Sequence, residues 1–574
     1  MAISNPENTP DNSTEQKIAF PRLDETEIAE LDAIGSRRQL HDGEVLFEAG
    51  EERCGFFVVL SGAVKVVDGS GDAAQVVREH TPGEFTGDVD VLGARRAIVS
   101  AMAVGATEVL HISSGDLNHL LSDQPGLGET ILNAFIARRE LLMESGFQGL
   151  RVVGSHDSLR AFQLCEFLAR NQVPHTWLKV ENGQGVSQPL AVLGVTEEDL
   201  PVVAYGDRPL LRNPSLAQLA EQVGLKSALD KSSYDLVVIG AGPAGLAAAV
   251  YGASEGLRTL VLDGAGPGGQ AGASTKIENY LGFPTGITGA DLMSRAVLQA
   301  QRFGAQFSTP SQVSALDLDG DLPVIHIEGD GIVTTRSVLI ATGAAYRKLD
   351  IADRERFDGL GVYYAATQTE LVTCHDADVI VVGGGNSAGQ AIMFLSQHTR
   401  SVTVLLRGGD LYVSMSSYLA GRIEAAENVK VRYHSQIRRL EGEDRLEAVE
   451  IEDTETGAVE MVKTPAVFSF IGAVPCAKWL PDQIETDANG FICTGRDVTA
   501  FSPRPGEPDP SARIPSSRSP RAAFPMETSH PGVFAAGDVR AGSTKRVSSA
   551  VGEGAMAIHY VHEYLAEQDA WRQR

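Results

Sequence analysis

The segment that decides the fold begins at Asp235 and reads DLVVIGAGPAGLAAAV. An apolar strand leads into a glycine-rich turn and then into a helix of small residues, and Gly240, Gly242 and Gly245 form the pattern GxGxxG. The first glycine makes the turn, the second admits a pyrophosphate, and the third lets the helix pack against the strand. The next strand, TLVLD, ends at Asp263, whose carboxylate can bond ribose hydroxyls. Together these features predict a dinucleotide site.

A second unit of the same kind, DVIVVGGGNSAGQAIMFL, begins at Asp378 and places Gly383, Gly385 and Ala388 after its strand. Its following strand, SVTVLL, leads to Arg407 and not to an acid. A cation at this point suits a 2′-phosphate and favours NADPH over NADH, whereas the alternative is an ordinary surface arginine. The separation of the two units predicts two nested dinucleotide domains.

Composition excludes several classes of function. Among 574 residues, 48 Lys and Arg against 75 Asp and Glu give a formal net charge of −27, which argues against binding to nucleic acid. The longest mostly apolar stretch is broken by glycines and by Pro243, so neither a membrane span nor a membrane partner is expected. The polar N-terminus has no apolar core of a signal peptide, and the five cysteines form no CxxC. We therefore expect a cytoplasmic protein without a disulfide framework or a metal site.

The chain reads as three blocks, preceded by residues 1–19, which are polar and predicted to be disordered. The first block, 20–145, has short strands such as GFFVVLSGAVKVV followed by helical spacing. The second block, 150–226, reads as βαβ, a hairpin and a closing helix, and the third is 232–574. Residues 502–525, rich in Pro, Ser and Arg, predict an exposed loop insertion.

The third block resembles the low-molecular-weight thioredoxin reductases in PGGQAG, IENYLGFP, the ATGA at 341–344, VVGGGNSA, and the GVFAAGDVR at 532–540. The resemblance implies an FAD-binding domain made of 232–345 and 480–574, with an NAD(P)H-binding domain, 350–475, inserted into it.

The resemblance also implies which residues contact the two cofactors. Gly269, Gln270 and Asn279 would lie near the flavin, Asp538 would bond the ribityl chain, and Arg546 would lie alongside the flavin. The full implied set adds turn, strand-end and helix-start residues of both units: Gly240, Gly242, Pro243, Ala244, Gly245, Asp263, Thr342, Gly343, Gly383, Gly385, Asn386, Ser387, Ala388, Arg407, Gly472, Gly537 and Val547.

The chain departs from this family at the redox-active dithiol. The family carries CATC after a glycine-valine-x-tyrosine sequence, and here GVYY is followed by Ala365, Ala366, Thr367 and Gln368. Disulfide exchange requires a thiolate, so no catalytic residue is predicted at these positions. The family's histidine-arginine-arginine cluster, which binds NADPH, is represented by LLRGGDLYVS and retains Arg407 only.

The second block resembles a glutaredoxin or thioredoxin fold in its strand–SHDS–helix opening, in LPVV with Pro201 at the family's cis-proline, and in PSLAQLAEQVGL. The family's catalytic pair would fall at Ser155 and Ser158. Serine cannot form a disulfide, so the resemblance predicts a domain without redox activity.

The first block resembles cyclic-nucleotide-binding domains in GEVLFEAG, FFVVLSGAVKVV and PGEFTGDVDVLGARRAIVSAMAV. By position, Gly87 would offer its amide to a cyclic phosphate, Arg95 would pair with it, and Asp88 would replace the glutamate that holds the ribose. The alternative is a degenerate domain that binds no nucleotide and serves assembly. No DNA-binding helix-turn-helix follows it.

These features together predict a multidomain α/β protein in which a β-roll domain and a thioredoxin-like domain precede two Rossmann-like domains. The function they favour is hydride transfer from NADPH to FAD, and then electron transfer to a ferredoxin- or flavodoxin-like carrier, a disulfide or a quinone. One alternative is a thioredoxin-disulfide reductase that uses another dithiol, and a second is a nucleotide-gated flavin sensor or scaffold. The resemblances to thioredoxin reductases and to cyclic-nucleotide-binding domains both imply a homodimer.

Overall fold

The computed structural model describes residues 14–572 with gaps. The gaps are 52–54, 69–74, 94–95, 145–148, 156–157, 181–194, 207, 227–233, 275, 330, 365, 367–370, 372–373, 375, 444 and 500–520. Two compact units make up the chain: residues 1–241, 246–267 and 294–338 form the first, and residues 242–245, 268–293 and 339–574 form the second.

The first block is a β-roll with flanking helices. Its strands are β1 (Ser36–Leu40), β2 (Val45–Phe47), β3 (Phe56–Asp68), β4 (Gln75–His80) and β5 (Ser100–Ile112). They pair antiparallel in the order β1-β5-β3-β4, with β2 also on β5. The helices are α1 (Thr14–Ala19), α2 (Glu25–Asp32), α3 (Val89–Leu92), α4 (Ser114–Asp123) and α5 (Pro125–Glu144). Phe56, Phe85 and Phe135 form the fully buried aromatic centre, which confirms the β-roll predicted from the apolar strand pattern.

The expected disorder of residues 1–19 is wrong for Thr14–Ala19, which form α1. The carbonyl of Ala19 accepts a hydrogen bond from Nε of the buried Arg138, and the Phe20 ring lies against the same guanidinium. These contacts come from α5, far along the chain, and therefore leave no local signal. Residues 1–13 lie outside the described part of the chain.

The second block has a four-stranded sheet in the order β7-β6-β8-β9. Its elements are β6 (Leu150–Ser155), α6 (Leu159–Arg170), β7 (Thr176–Val180), β8 (Val202–Tyr205), β9 (Leu211–Arg212) and α7 (Leu216–Val223). The β6–β7 pair is parallel and the other pairs are antiparallel. The Leu200–Pro201 peptide is cis, as the resemblance implies.

The second block packs directly on the first. Ile98, which precedes β5, is buried within the hydrophobic core of the second block. The Tyr205 hydroxyl donates to the carbonyl of Ala97 at 3.1 Å, and Arg208 Nη2 donates to the carbonyl of Gly50 at 2.8 Å. The two blocks therefore share a core and a polar seam.

The third block contributes two sheets, the first mixed and the second parallel. The first contains β10 (Tyr234–Ile239), β11 (Thr259–Leu262), β12 (Gln306–Ser308), β13 (Val313–Asp317), β14 (Val324–Ile327) and β15 (Gly331–Ile340), in the order β12-β11-β10-β15-β14-β13. Helices α8 (Pro243–Ser254), α9 (Gly269–Gly272) and α10 (Gly289–Arg302) follow its strands. Pairing is parallel from β10 to β12, as expected for strands joined by crossover helices.

The second sheet, in the second unit, has the order β17-β24-β18-β19-β20, and every pair is parallel. The remaining elements are β16 (Ala344–Tyr346), β17 (Val362–Tyr363), β18 (Asp378–Val382), α11 (Asn386–Ser396), β19 (Ser401–Leu405), α12 (Ser417–Glu424), β20 (Val429–Arg432), β21 (Ser435–Glu441), β22 (Ala448–Asp453), β23 (Val459–Lys463), β24 (Val467–Ser469), β25 (Ala473–Pro475), β26 (Val533–Ala535) and α13 (Val547–Arg572). Two nested α/β domains are thus present, as the two glycine units predict. None of the described helices has both the length and the apolarity for crossing a membrane.

Most of the expected loop insertion at 502–525 lies outside the described residues. At its end, Arg521 is half-buried. It donates to the fully buried carboxylate of Glu527 at 2.5 Å and to Glu567 at 3.1 Å. A buried carboxylate requires a positively charged partner, and Arg521 is that partner for Glu527.

Candidate functional site

The first glycine turn is shaped by Asp263. In the first unit, Oδ2 of Asp263 accepts the amide of Ala241 at 2.8 Å, next to Gly240, whose φ is 105°. Oδ1 accepts the amides of Ala265 and Gly266 at 2.9 and 2.8 Å. The acid predicted to bond ribose therefore also organises the turn before it and the loop after it.

Around Gly242 and Ala244 of the first glycine turn, which belong to the second compact unit, several backbone positions have no room for a side chain. A Cβ on Gly269 would lie 3.1 Å from Cα of Gly242, and a Cβ on Gly537 would lie 2.9 Å from Cβ of Ala244. A Cβ on Gly554 of α13 would meet the Ala244 carbonyl at 2.1 Å. By contrast, nothing lies within 4 Å of a Cβ on Gly242, so the backbone there is open to a ligand. Predicted Pro243 and Gly245 lie in the same first turn of α8. This geometry fits a pyrophosphate at the helix N-terminus.

Asp538 lies beside these positions with a half-buried carboxylate that has no hydrogen-bond partner among the described residues. Burial raises its pKa; the positive charge of Lys545 opposes this effect, and the negative charge of Glu553 adds to it. Glu553 is itself satisfied, because it accepts the amide of Gly537 and Nη2 of Arg540, both at 2.7 Å. The carboxylate oxygens of Asp538 are hydrogen-bond acceptors that a ligand with hydroxyl groups, such as a ribityl chain, can use.

The predicted residues at 342–344 and 472–476 meet where the two nested domains connect. β16 pairs antiparallel with β25, and Gln270 Nε2 donates to the carbonyl of Ala344. Thr342 Oγ1 donates to the carbonyl of Cys476 at 2.8 Å, and the Cys476 amide donates to Gly343 at 3.0 Å. Gly343 and Gly472 have φ values of 67° and 102°, a region that favours glycine. Asn279 and Arg546 are exposed, and Val547 begins α13.

The second glycine turn also combines a position with no room for a side chain and a position that is open to a ligand. A Cβ on Gly383 would lie 2.3 Å from the Phe470 carbonyl, so glycine is required there. Gly385 caps α11 without a side-chain hydrogen bond, and nothing lies within 4 Å of a Cβ there. Asn386 and Ser387 begin the helix, and Ala388 is fully buried against the core. The first amides of α11 are thus available to a pyrophosphate.

The dithiol positions Ala365 and Gln368 lie outside the described residues. Among the described cysteines, Cys374 and Cys165 are buried in hydrophobic cores, and burial raises the pKa of Cys165 to about 12. Burial also raises the pKa of Cys476, and both burial and acidic neighbours raise that of Cys493. None of Cys165, Cys476 and Cys493 has the low-pKa thiol that disulfide exchange favours.

The two serines of the second block have structural roles. Ser158 is the N-cap of α6, where its Oγ accepts the amide of Ala161 at 3.2 Å, and its amide donates to Ser155 at 3.1 Å. A Cβ on Gly154 would lie 3.2 Å from Cβ of Pro201, so the opening strand packs closely on the cis-proline.

In the first block, Asp88 binds protein groups. Its carboxylate caps α3 by accepting the amide of Asp90 at 3.0 Å and accepts Nη2 of Arg139 at 2.6 Å. Arg139, almost fully buried, also bonds the Asp90 carboxylate and the carbonyl of Gln172 in the second block, both at 2.6 Å. Predicted Gly87 has a φ of 105° and accepts from Arg138 through its carbonyl at 2.8 Å. Predicted Arg95 lies outside the described residues.

Sequence reasoning missed Arg138, Arg139 and Glu553, which support the predicted residues. The signal available for the first two was a pair of adjacent arginines inside the apolar helix of ARRELL. Buried arginines have partners, and the nearby acids of GDVD were candidates. In the described residues, no group of three or more His, Cys, Asp or Glu is placed to hold a metal ion.

Two glycine turns open to ligands, each between a strand of a parallel pair and a helix, are the geometry that dinucleotide-binding domains share. A model of the pyridine nucleotide-disulphide oxidoreductase family matches residues 234–500, and one of the cyclic nucleotide-binding domain matches residues 37–124. A thioredoxin reductase of Treponema pallidum is 34% identical over 336 residues, which are 58% of this chain and 98% of that protein. The 34.2 kDa protein in the rubredoxin operon of Clostridium pasteurianum is 32% identical over the same shares.

Solved structures agree with these sequence matches. The thioredoxin reductase of Lactococcus lactis (FR conformation) is 29% identical, covers 58% of this chain and all (100%) of its own, and has a TM-score of 0.51. That of T. acidophilum is 26% identical with a TM-score of 0.50, over 59% of this chain and 99% of its own. The chain belongs to the thioredoxin reductase-like pyridine nucleotide-disulphide oxidoreductases, a family of NAD(P)H-dependent flavin oxidoreductases, and carries a cyclic nucleotide-binding domain.

Proposed function

We propose that this protein uses NADPH to reduce a bound FAD and delivers the electrons to an external acceptor without the dithiol of its relatives. The observation that carries the proposal is the replacement of both cysteines by Ala365 and Gln368. Buried or half-buried Cys165, Cys374, Cys476 and Cys493 offer no substitute among the described residues. When bound, the cofactors would supply hydride transfer from nicotinamide to flavin and electron transfer to the acceptor.

The chain's own residues would bind and orient these groups. The turn around Gly242, the close approach of Gly269 and Gly537, and the unpaired Asp538 carboxylate support FAD binding in the first dinucleotide domain. The open cap at Gly385 and the exposed Arg407 support NADPH binding in the second. NADH remains the alternative electron donor.

The acceptor is a ferredoxin- or flavodoxin-like carrier, a disulfide or a quinone in this proposal. One relative is named for a rubredoxin operon, which supports including rubredoxin among the redox proteins tested. A thioredoxin-disulfide reductase that borrows an external dithiol is the competing function, and thioredoxin therefore belongs in the same panel.

The test has two stages on the full-length, FAD-loaded protein. Anaerobic NADPH should bleach the flavin absorbance within seconds, and NADH should do so more slowly. An acceptor panel of ferredoxin, flavodoxin, rubredoxin, a quinone, small disulfides and thioredoxin should then show fast NADPH oxidation with one acceptor other than thioredoxin. Fast turnover with thioredoxin alone would contradict the proposal, and very slow bleaching would favour the nucleotide-gated sensor.

The Asp88–Arg139–Gln172 contacts favour an assembly role for the first block over nucleotide binding, because the carboxylate that would hold a ribose already binds a guanidinium. Calorimetric titration with cyclic AMP and cyclic GMP distinguishes the two. The assembly role predicts no heat of binding and no change in flavin reduction.

We also propose that the protein is a cytoplasmic homodimer. Light scattering coupled to size-exclusion chromatography would establish or refute the dimer.

A further inference from the structure

The loop that follows β19 lies beside the loop that follows β20, and the inference concerns one residue from each. The strands are parallel, with Leu405 opposite Arg432. Past the strand ends, the Ser435 amide donates to the carbonyl of Leu406 at 2.8 Å, and the His434 amide donates to that of Gly408 at 3.3 Å. Arg407 and His434 therefore emerge side by side at the carboxyl edge of the sheet.

The imidazole of His434 has Gly409 and Glu455 as neighbours. A Cβ on Gly409 would lie 2.8 Å from its Nε2, so the ring packs on the backbone of a glycine. Its Nδ1 lies 3.5 Å from Oε1 of Glu455, and 35% of the side chain is exposed. The backbone, with a left-handed φ of 49°, is held by Thr454, whose amide and hydroxyl both donate to the His434 carbonyl, at 2.7 and 3.0 Å.

The loop that begins at Arg407 is fastened to the second glycine turn. Ser414 Oγ donates to the carbonyl of Gly384 at 2.8 Å, and the Ser416 amide donates to Oδ1 of Asn386 at 2.8 Å. A nucleotide whose pyrophosphate lies at this turn would have its adenosine ribose at the end of the second strand of the unit. That end is where Arg407 stands, exposed and without a hydrogen-bond or ion-pair partner in the part of the chain that the structure describes.

The other charges around His434 are accounted for. Asp410 accepts the Tyr412 amide at 2.8 Å, and Asp453 accepts the amides of Glu455 and Thr456 within its own turn, at 3.0 and 2.8 Å. Arg432 is paired with Glu460 at 2.9 Å. The cationic groups of the two loops are thus the guanidinium of Arg407 and, when protonated, the imidazole of His434.

We propose that His434 and Arg407 together bind the 2′-phosphate, so that His434 is a specificity-determining residue for NADPH over NADH. This rests on the proposed use of a pyridine nucleotide in the second dinucleotide domain. Nothing in the GxGxxA pattern or the strand end at Arg407 indicates His434, because it lies in the loop after the next strand, 27 positions along the chain (434 − 407).

The test compares two probes that differ only in the 2′-phosphate, 2′,5′-ADP and 5′-AMP, by calorimetry with the full-length FAD-loaded protein. His434→Asn keeps a residue that tolerates the left-handed backbone and removes the imidazole. We expect its affinity for 2′,5′-ADP to fall roughly tenfold, as for loss of a charge-assisted hydrogen bond, with no change for 5′-AMP. Lys430→Gln, which removes an exposed cation of the same strand, is the control and should change neither affinity.

An equal loss for both probes would make the imidazole a structural residue, and an unchanged affinity for 2′,5′-ADP would leave Arg407 to act alone. Either result overturns the inference. Flavin bleaching separates it from the proposed function. If both nucleotides bleach the flavin equally fast and the wild-type protein does not prefer 2′,5′-ADP, the inference fails while the reductase function stands. If the probes behave as expected but neither nucleotide bleaches the flavin, the reductase function fails alone.

Discussion

At the scale of single residues, close approach to the backbone explains why the glycines of this chain are not interchangeable. Gly552 and Gly554 lie two positions apart in α13, yet a Cβ would meet nothing within 4 Å at the first and a carbonyl oxygen at 2.1 Å at the second. Both are helical glycines, so backbone conformation does not distinguish them. Only the packing of α13 against Ala244 does.

This contrast gives a matched pair of variants. Gly554→Ala should destabilise the protein by about 1–3 kcal/mol through overpacking and should lower its FAD content. Gly552→Ala should be neutral or stabilise it by up to about 1 kcal/mol, since alanine is the better helix former. Melting temperature and the ratio of flavin to protein absorbance measure both effects. Equal behaviour of the two variants would show that the helix does not pack as described.

His80 makes a prediction about pH. Burial lowers its pKa to about 4, with a smaller contribution from Arg138, although Glu84 opposes the shift. The unfolded chain, with a histidine pKa of about 6.5, binds more protons than the folded one between pH 4 and 6.5, so stability should rise with pH across this window. The gain is at most about 3 kcal/mol.

Calorimetric melting of the wild type and His80→Gln at several pH values measures this dependence. The variant should show a flatter profile between pH 4 and 6.5, whatever its stability at neutral pH. His119→Gln, at an exposed site on α4, should keep the wild-type slope. An unchanged slope in His80→Gln would mean that another group titrates.

At the scale of elements, strands and glycine turns could be predicted because their signals are local. The turn at Gly240 and the helix after it follow from sixteen consecutive letters, and the parallel strand pairs follow from strands that alternate with helices. Asp88 and Arg139 are 51 residues apart, so their pairing depends on how α5 packs on α3. Local sequence patterns carry no information about such contacts. The predicted role of Asp88 accordingly did not include its pairing with Arg139.

Arg139 gives a prediction about how α5 holds the first two blocks together. Arg139→Met would leave the carboxylates of Asp88 and Asp90 buried without their cation and should cost about 3–5 kcal/mol. Arg170→Met, which breaks a half-exposed pair with Glu166, should cost under about 1 kcal/mol. Thermal unfolding compares the two. Adding Asp88→Asn and Asp90→Asn to Arg139→Met should recover part of the loss, and failure to do so would argue against charge imbalance as its cause.

At the scale of the whole molecule, the chain keeps the two α/β domains of its family and has Ala365 and Gln368 at the positions of the two CATC cysteines. We expect the wild type to reduce flavin with NADPH and to show no NADPH-dependent reduction of thioredoxin above background. Ala365→Cys/Gln368→Cys should gain measurable reduction of a chromogenic disulfide, because it restores both sulfurs. The single variant Ala365→Cys should not. Equal rates in the double variant and the wild type would show that more than the dithiol separates this protein from its relatives.

Ile98 has a consequence for any shortened form of this protein. It belongs to the first block by sequence and to the interior of the second by packing. A chain trimmed to begin at residue 150 would keep every strand of the second block and lose Ile98, one of the side chains that fill its hydrophobic core, and so would leave a cavity there. Weak activity in such a fragment would therefore reflect damage to the core of the second block as much as the loss of the first block. A fragment in which a larger side chain of the second block fills the cavity would be the better comparison.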